Sequence, residues 1–246
     1  IYAAIFSYND ASKKVVEKLG FNFEAKLNNR VFKNEEYFEA AKRSCEQVYQ
    51  KVGVQRLILN KNQVMDYEPS LQQSRDIIGG TYTPSDMTGD IHKFCVELEK
   101  ILKTKYNVKF SYGRKIKPNI LIVNDYDHVV ICSGIGSIEI SKKIGDPLDI
   151  YPVKGYSITL EVGNTVEDAP VVSLLDDEAK IVTSRLGTRL RVAGTAELAG
   201  INYDIRMDRI NPLVKWVRQN FPYISTEHTN PWAGLRPMTP NMLPVV

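Results

Sequence analysis

The feature that most constrains the fold is a run of strand-like stretches between residues 153 and 194. In the first of them, 155–162, apolar residues alternate with small or polar ones, which is the period of a half-buried strand. Turn residues rather than helices separate the stretches, and directly linked strands run antiparallel. This part of the chain therefore predicts an antiparallel sheet, whose further strands lie at 171–175, 179–184 and 189–192.

A different kind of strand is predicted just before this sheet. The run Val129–Cys132 is continuous and apolar, which is typical of a strand buried on both faces. It leads into a turn that contains Gly134 and then into a predicted helix, a layout in which bare backbone N–H groups can bind a phosphate. Glu139 stands where the dinucleotide-binding pattern has its third glycine, so a structural turn is the better interpretation of these residues alone.

Apolar spacing predicts helices around these strands. Asn34 and Asp90 are expected to cap two of them, and Gly20 is expected to end another. Pro212 is acceptable in a helix only if it lies in the first turn, where no intrahelical hydrogen bond is lost. The predicted helices span 10–19, 34–52, 60–67, 90–104 and 209–221.

Composition argues against several classes of protein. The 246 residues carry a net charge of only +3, and the basic residues are scattered, so no nucleic-acid-binding stripe is expected. The three cysteines form no Cys-x-x-Cys pair, and the three histidines lack metal-ligand spacing. We therefore expect no metal site and a reducing compartment. No apolar run approaches the roughly 20 residues of a transmembrane helix.

A single arginine stands out near the end of the chain. Arg236 lies between Gly234 and Pro237, in a backbone that is both stiff and tightly turning. Such a backbone suits a guanidinium that must point in one direction, and a guanidinium binds carboxylates through two parallel hydrogen bonds. The alternative is an arginine that ties down a loop carbonyl, which the local sequence alone favours.

The segment 151–157 is a further candidate for a binding site. Lys154 and Gly155 could let an ammonium and the backbone approach an anionic group, and Tyr156 offers an aromatic wall with a hydroxyl. A strand start with a surface lysine explains the same pattern. The acidic run 176–178 is best interpreted as a solvated turn between two strands rather than as an acid–base cluster.

Five runs of the sequence, one of them 79–94 and another 232–240 around Arg236, together resemble the D-amino-acid dehydrogenases of the D-amino-acid oxidase and glycine oxidase superfamily of FAD oxidoreductases. The resemblance extends from about residue 20 to the end of the chain. Five ordered matches are far more specific than any one of them. The runs are Gly79–Phe94, Val130–Ser137, Tyr151–Ser157, Leu190–Glu197 and Trp232–Pro240.

The resemblance implies an α+β fold in which a mostly antiparallel substrate-binding sheet with flanking helices accompanies part of a Rossmann-like FAD-binding domain. On this basis 20–80 and 148–232 are expected to form the substrate-binding domain. Residues 1–19, 81–147 and 233–246 are expected to form part of the FAD-binding domain.

The resemblance also implies a chemistry, the oxidation of a D-amino acid to an imino acid that water hydrolyses to a 2-oxo acid and ammonia. Arg236 matches the arginine that binds the substrate carboxylate, with Tyr156 and Lys180 as further members of the pocket. The implied cofactor contacts are Ser133, Gly134, Val108, Lys154 and Gly155. Reoxidation by a respiratory quinone implies a cytoplasmic protein that is peripheral on the inner membrane face.

The N-terminal Gly-x-Gly-x-x-Gly unit and the glycine-rich C-terminal run of the family have no match in this chain. We therefore expect a fragment that, by itself, neither retains FAD nor turns over, and a flavin spectrum near one equivalent would refute this. Two alternatives stay open at this stage. One is a relative that acts on glycine, sarcosine or another secondary amine, and the other is a non-catalytic product of a split or decayed gene.

Overall fold

The computed structural model describes residues 25–26, 29–46, 55–74, 76–116, 126–163 and 169–245. Within these residues there are ten strands and five α-helices. The strands are β1 Ala25–Lys26, β2 Asn29–Phe32, β3 Leu57–Asn60, β4 Gly79–Tyr82, β5 Met87–Thr88, β6 Tyr151–Glu161, β7 Leu174–Asp176, β8 Ile181–Leu186, β9 Arg189–Glu197 and β10 Thr229–Met238. The helices are α1 Glu35–Ser44, α2 Lys61–Tyr67, α3 Ile91–Tyr106, α4 Ser137–Ile144 and α5 Met207–Asn220.

Eight of these strands form one sheet in the order β10-β6-β9-β8-β7-β2-β4-β3. Strands β7, β8 and β9 pair antiparallel, with Leu175 opposite Val182 and Thr183 opposite Val192. Strands β2, β3 and β4 also pair antiparallel, whereas β2 runs parallel to β7. The predicted α+β class with a mostly antiparallel sheet is confirmed.

Local capping signals explain where three helices begin. The side chain of Asn34 accepts hydrogen bonds from the backbone N–H groups of Glu36 and Tyr37, which fixes the start of α1. Asn60 and Gln63 form a reciprocal capping box at α2. Asp90 accepts from the second and third residues of α3. These three predicted helices are present. Helix α1 ends at Ser44, and residues 47–52 of that prediction lie outside the described part of the chain. The predicted helix 10–19 lies outside it as well.

The predicted buried strand Val129–Cys132 is wrong. Residues 128–133 form no strand in the structure, and Val130 is 82% exposed. A strand that is buried on both faces needs partner strands, and no described strand pairs with this segment. The apolar composition of this run thus predicts a buried strand, but no described residues bury it.

Two further details differ from the prediction. Helix α5 begins at Met207, so Pro212 lies beyond the first turn rather than within it, and the helix lacks the hydrogen bond that an N–H there would donate to the carbonyl of Asp208. In β6, all residues from 154 to 158 are buried, so the strand is covered on both faces there instead of alternating.

The chain divides into two compact units. The first comprises residues 1–101, 156–195 and 205–232, and the second comprises 102–155, 196–204 and 233–246. The core of the first unit includes Ile158, Leu190 and Val217, each fully buried. The assignment of a substrate-binding and an FAD-binding domain to ranges of the chain stays a proposal.

Buried carboxylates tie the first unit together. Asp176 accepts a hydrogen bond from Nε1 of Trp216 at 2.8 Å and lies 3.4 Å from the ammonium of Lys33. Glu68 accepts from the backbone N–H groups of Val171 and Val172, both at 2.9 Å. Asp176 is only 1% exposed, so it is a structural anchor and not the solvated turn residue that the sequence predicted.

Candidate active site

Arg236 lies in the extended strand β10, so the tight turn predicted around it is wrong. Its guanidinium lies against the backbone of β6 at Gly155. A Cβ built on Gly155 would lie 2.6 Å from Nη2 of Arg236, 2.7 Å from Cζ and 3.0 Å from Nη1. Both residues belong to the second unit. Two residues that the sequence singled out separately are therefore in direct contact.

The side chain of Arg236 is available for a ligand. Arg236 is exposed, and its guanidinium makes no hydrogen bond or ion pair with any residue that the structure describes. The alternative in which the arginine ties down a loop carbonyl thus finds no support among these residues. A guanidinium that has an apolar or backbone surface against its face keeps its N–H donors, which lie in its plane, free for an anion.

An open cavity of about 550 Å³ lies in the same unit. Side chains on a strand alternate between faces, so Tyr151 and Val153 point to the same face of β6 as Gly155, and Met238 points to the same face of β10 as Arg236. The cavity therefore opens on the face that carries the guanidinium. Its apolar lining residues are Ile150, Tyr151, Val153, Leu198, Met238 and Pro240, and Asp149 and Thr239 are polar.

Lys154 has a different environment from the one predicted. Its side chain is 1% exposed, and its ammonium lies 3.2 Å from Oε2 of Glu197, 3.0 Å from Oδ1 of Asn202 and 3.0 Å from the carbonyl oxygen of Asp204. These three acceptors match the three donors of an ammonium group. The structure thus favours a structural role for Lys154 over the predicted contact with the cofactor.

The other predicted substrate residues lie in the first unit. Tyr156 is only 1% exposed, and in the alternation of β6 it points away from the face of Gly155, so its burial does not support a pocket wall. Lys180 lies in the turn between β7 and β8, where its exposed ammonium is 3.4 Å from Asp177. Its role in substrate binding stays a prediction.

The turn at residues 133–136 leads directly into helix α4. Gly134 has φ +58°, a left-handed conformation that favours glycine, and a Cβ there would meet open space. Helix α4 begins immediately afterwards, and no side chain caps its first turn. Ser133 is exposed, and its hydroxyl lies 3.1 Å from that of Ser137. Within the turn, the backbone N–H of Gly136 donates to the carbonyl oxygen of Ser133, and that of Ser137 to those of Gly134 and Ile135. The predicted contact of Ser133 and Gly134 with the cofactor stays a prediction.

Val108 follows α3 in a stretch without regular secondary structure and is 40% exposed. Its backbone N–H donates to the carbonyl oxygen of Leu102, which leaves the side chain free to contact a ligand. The predicted contact with the cofactor stays untested.

Sequence patterns alone did not predict the residues that line the cavity or the partners of Lys154. Leu198 and Asn202 come from the segment after β9, far from β6 in sequence. One signal for the cavity was present in the sequence. Tyr151 and Val153 stand four and two residues before Gly155, and the alternation of a strand places their side chains on the same face as that glycine.

The described residues contain no group of three or more histidine, cysteine, aspartate or glutamate side chains arranged to hold a metal ion. None of the described helices combines the length and the apolar character needed to cross a membrane.

The family model described as FAD dependent oxidoreductase matches residues 6–246. The chain belongs to this family of FAD-dependent oxidoreductases. The match covers both the β6 segment with Gly155 and the β10 segment with Arg236.

Curated relatives in this family include D-amino acid dehydrogenases. The chain is 50% identical over 211 residues to D-amino acid dehydrogenase 3 of Mesorhizobium japonicum, an alignment that covers 79% of this chain and 50% of that protein. It is 31% identical over 244 residues to D-amino acid dehydrogenase of Vibrio atlanticus, which covers 94% and 58%. The chain thus spans little more than half the length of these relatives.

Solved structures in the comparison share the fold. Glycine oxidase from Geobacillus kaustophilus superposes with a TM-score of 0.76 at 19% identity, over 96% of this chain and 65% of that one. L-proline dehydrogenase from P. horikoshii gives a TM-score of 0.74 at 18% identity, over 94% and 65%. At such low identity these similarities establish the oxidoreductase fold and not the substrate.

Proposed function

We propose that the protein containing this chain oxidises D-amino acids to 2-oxo acids and ammonia, and that Arg236 binds the substrate carboxylate. The observation that carries the proposal is the exposed guanidinium of Arg236, which has no described partner. Arg236 lies two residues from Met238, which lines an apolar cavity, in a chain of the FAD-dependent oxidoreductase family. The names of the relatives from Mesorhizobium japonicum and Vibrio atlanticus agree with this substrate class.

Arg236 would orient the substrate for the reaction. Two parallel hydrogen bonds from its guanidinium to the carboxylate fix both the position and the rotation of the amino acid. With the carboxylate held, the alpha C–H has one defined direction, and positioning of this kind lowers the barrier without any chemical step by the protein.

FAD, the cofactor of the family, would accept the hydride from the alpha carbon when bound. We propose that Ser133 and Gly134 contact it, because Ser133 is exposed and the space above Gly134 is open. The oxidised substrate is an imino acid, and addition of water to its C=N bond releases ammonia and leaves the 2-oxo acid. The electrons pass next to an acceptor, for which we propose a respiratory quinone.

The cavity favours a substrate that carries an apolar side chain. Six of its lining residues are apolar, and Val153 and Met238 are on the same faces as Gly155 and Arg236. Glycine and sarcosine have no side chain to place there and would gain nothing from this surface. D-amino acids with aliphatic side chains should therefore be preferred to either.

A substrate panel tests this proposal. The FAD-loaded protein, expressed from its complete gene, would be assayed with D-alanine, D-leucine, L-alanine, glycine and sarcosine, with an artificial dye as electron acceptor. We expect turnover of the two D-amino acids, and a preference for D-leucine over glycine in kcat/KM. Turnover of glycine or sarcosine alone would show an amine oxidase instead, and the absence of any turnover would contradict an enzymatic role.

A further inference from the structure

We propose that Gly155 is a positioning residue whose missing side chain provides the seat for the guanidinium of Arg236. This inference rests on the proposed function, since it concerns the same carboxylate-binding arginine. It also gives Gly155 a role other than the contact with FAD that the sequence resemblance implied.

The need for glycine at this position comes from space and not from backbone conformation. Gly155 is absent from the glycines with positive φ, which include Gly134, Gly145 and Gly187. Its backbone is that of an ordinary strand, which any L-residue can adopt. A Cβ would nevertheless lie within 3.0 Å of three atoms of one guanidinium.

The contact is made by the face of the guanidinium. Nη2, Cζ and Nη1 of Arg236 lie at similar distances of 2.6, 2.7 and 3.0 Å from the position of that Cβ. Three atoms of a planar group can be nearly equidistant from a point only if the plane faces it. The N–H donors lie in that plane and therefore point past β6, where a carboxylate can accept two of them.

The neighbouring Lys154 fixes the position of the β6 backbone at Gly155. Lys154 points to the opposite face of β6 and is bound by Glu197, Asn202 and Asp204 within the same unit. Because three acceptors hold its ammonium, the strand cannot shift at residue 155 without breaking buried polar contacts. A methyl group at Gly155 would therefore have to displace Arg236 rather than β6.

The expected result is a selective loss of substrate binding. Gly155→Ala should raise the KM for D-alanine by about tenfold or more, because a displaced guanidinium loses at least one charge-assisted hydrogen bond. The inhibition constant of propionate, a carboxylate that cannot be oxidised at an amine, should rise in parallel. The FAD content and the midpoint of thermal unfolding serve to detect a general structural effect.

A double-mutant cycle with Arg236→Ala provides the decisive test in the FAD-loaded protein. If Gly155 acts only through Arg236, adding Gly155→Ala to Arg236→Ala changes neither KM nor the inhibition constant further. If Gly155→Ala alone does not fold, the double variant, in which the clash is removed, should fold and match Arg236→Ala. A double variant that fails to fold, or effects that add, would overturn the proposal.

Two glycines provide matched controls. A Cβ at Gly89 would meet nothing within 4 Å, so Gly89→Ala should leave KM unchanged. A Cβ at Gly194 would lie 3.0 Å from a methyl carbon of Leu213, so Gly194→Ala should lower the unfolding midpoint and leave KM unchanged. If Arg236→Ala leaves the KM unchanged, the proposed function is refuted. If Arg236→Ala raises the KM but Gly155→Ala does not, only the proposed role of Gly155 in positioning Arg236 is refuted.

Discussion

At the scale of single residues, the site depends on pairs that are distant in sequence. Arg236 and Gly155 were each singled out from local patterns, although the tight turn predicted around Arg236 is wrong, since the residue lies in strand β10. Their contact was not predictable, since 80 residues separate them and no local pattern specifies which strands are neighbours. The burial of Lys154 was missed for the same reason, because its partners Glu197, Asn202 and Asp204 come from another part of the chain.

The buried ion pair between Lys154 and Glu197 leads to a stability prediction. Glu197→Leu leaves the ammonium without its counter-charge at a site that is 1% exposed. We expect the free energy of unfolding in urea to fall by about 3–5 kcal/mol. The double variant with Lys154→Met should lose less than this, because it leaves no unpaired buried charge. As a control, Glu139→Gln removes an exposed pair with Lys143 and should change stability by less than about 1 kcal/mol. Equal losses for the buried and the exposed variant would contradict the assignment.

The three cysteines should differ in reactivity. Burial raises the pKa of the Cys45 thiol, which keeps it protonated near pH 8, and the side chain is only 5% exposed. Cys95 and Cys132 are exposed. Since the thiolate is the nucleophile, iodoacetamide at pH 8 should label Cys95 and Cys132 and leave Cys45 unmodified, as peptide mass spectrometry can measure. Labelling of Cys45 as fast as the other two would show that the α1 region is open.

At the scale of elements, the starts of helices were more predictable than the burial of strands. Asn34, Asn60 and Asp90 cap helices through bonds to residues two or three positions away, so the sequence contains the whole interaction. The burial of a strand depends on what covers it. The run 129–132 has the composition of a buried strand and is exposed, whereas residues 154–158 show alternation and are buried on both faces.

The capping box of α2 gives a prediction at this scale. Asn60→Ala removes the acceptor for the backbone N–H of Gln63, and the expected loss is about 1 kcal/mol in the free energy of unfolding. Asn60→Asp retains an acceptor oxygen and should retain most of the stability. Urea denaturation of the three proteins measures the difference. An Asn60→Asp variant as unstable as Asn60→Ala would mean that the side chain of Asn60 acts in some way other than capping.

At the scale of the whole molecule, the antiparallel sheet was predictable from the order of elements, because turn-linked strands leave few alternatives to it, whereas the α+β class was implied by the family resemblance. The FAD-dependent oxidoreductase family followed from ordered motifs and is shown by the match over residues 6–246. The cavity lined by Val153 and Met238 was not predictable, since its walls come from β6, β10 and the segment after β9. An exposed guanidinium, that of Arg236, and an apolar cavity thus lie in the same unit of the chain.

The central claim is that Arg236 holds a D-amino acid for oxidation by FAD, and anaerobic reduction of the bound flavin tests it most directly. In the FAD-loaded protein from the complete gene, D-alanine should bleach the flavin absorbance and L-alanine should not. Arg236→Lys should need a roughly tenfold or higher concentration of D-alanine for half-maximal bleaching, because one ammonium cannot reproduce the planar pair of hydrogen bonds. Arg218→Lys, on the exposed face of α5, should behave like the unchanged protein. Bleaching by L-alanine, or equal D-alanine requirements with and without Arg236, would contradict the account.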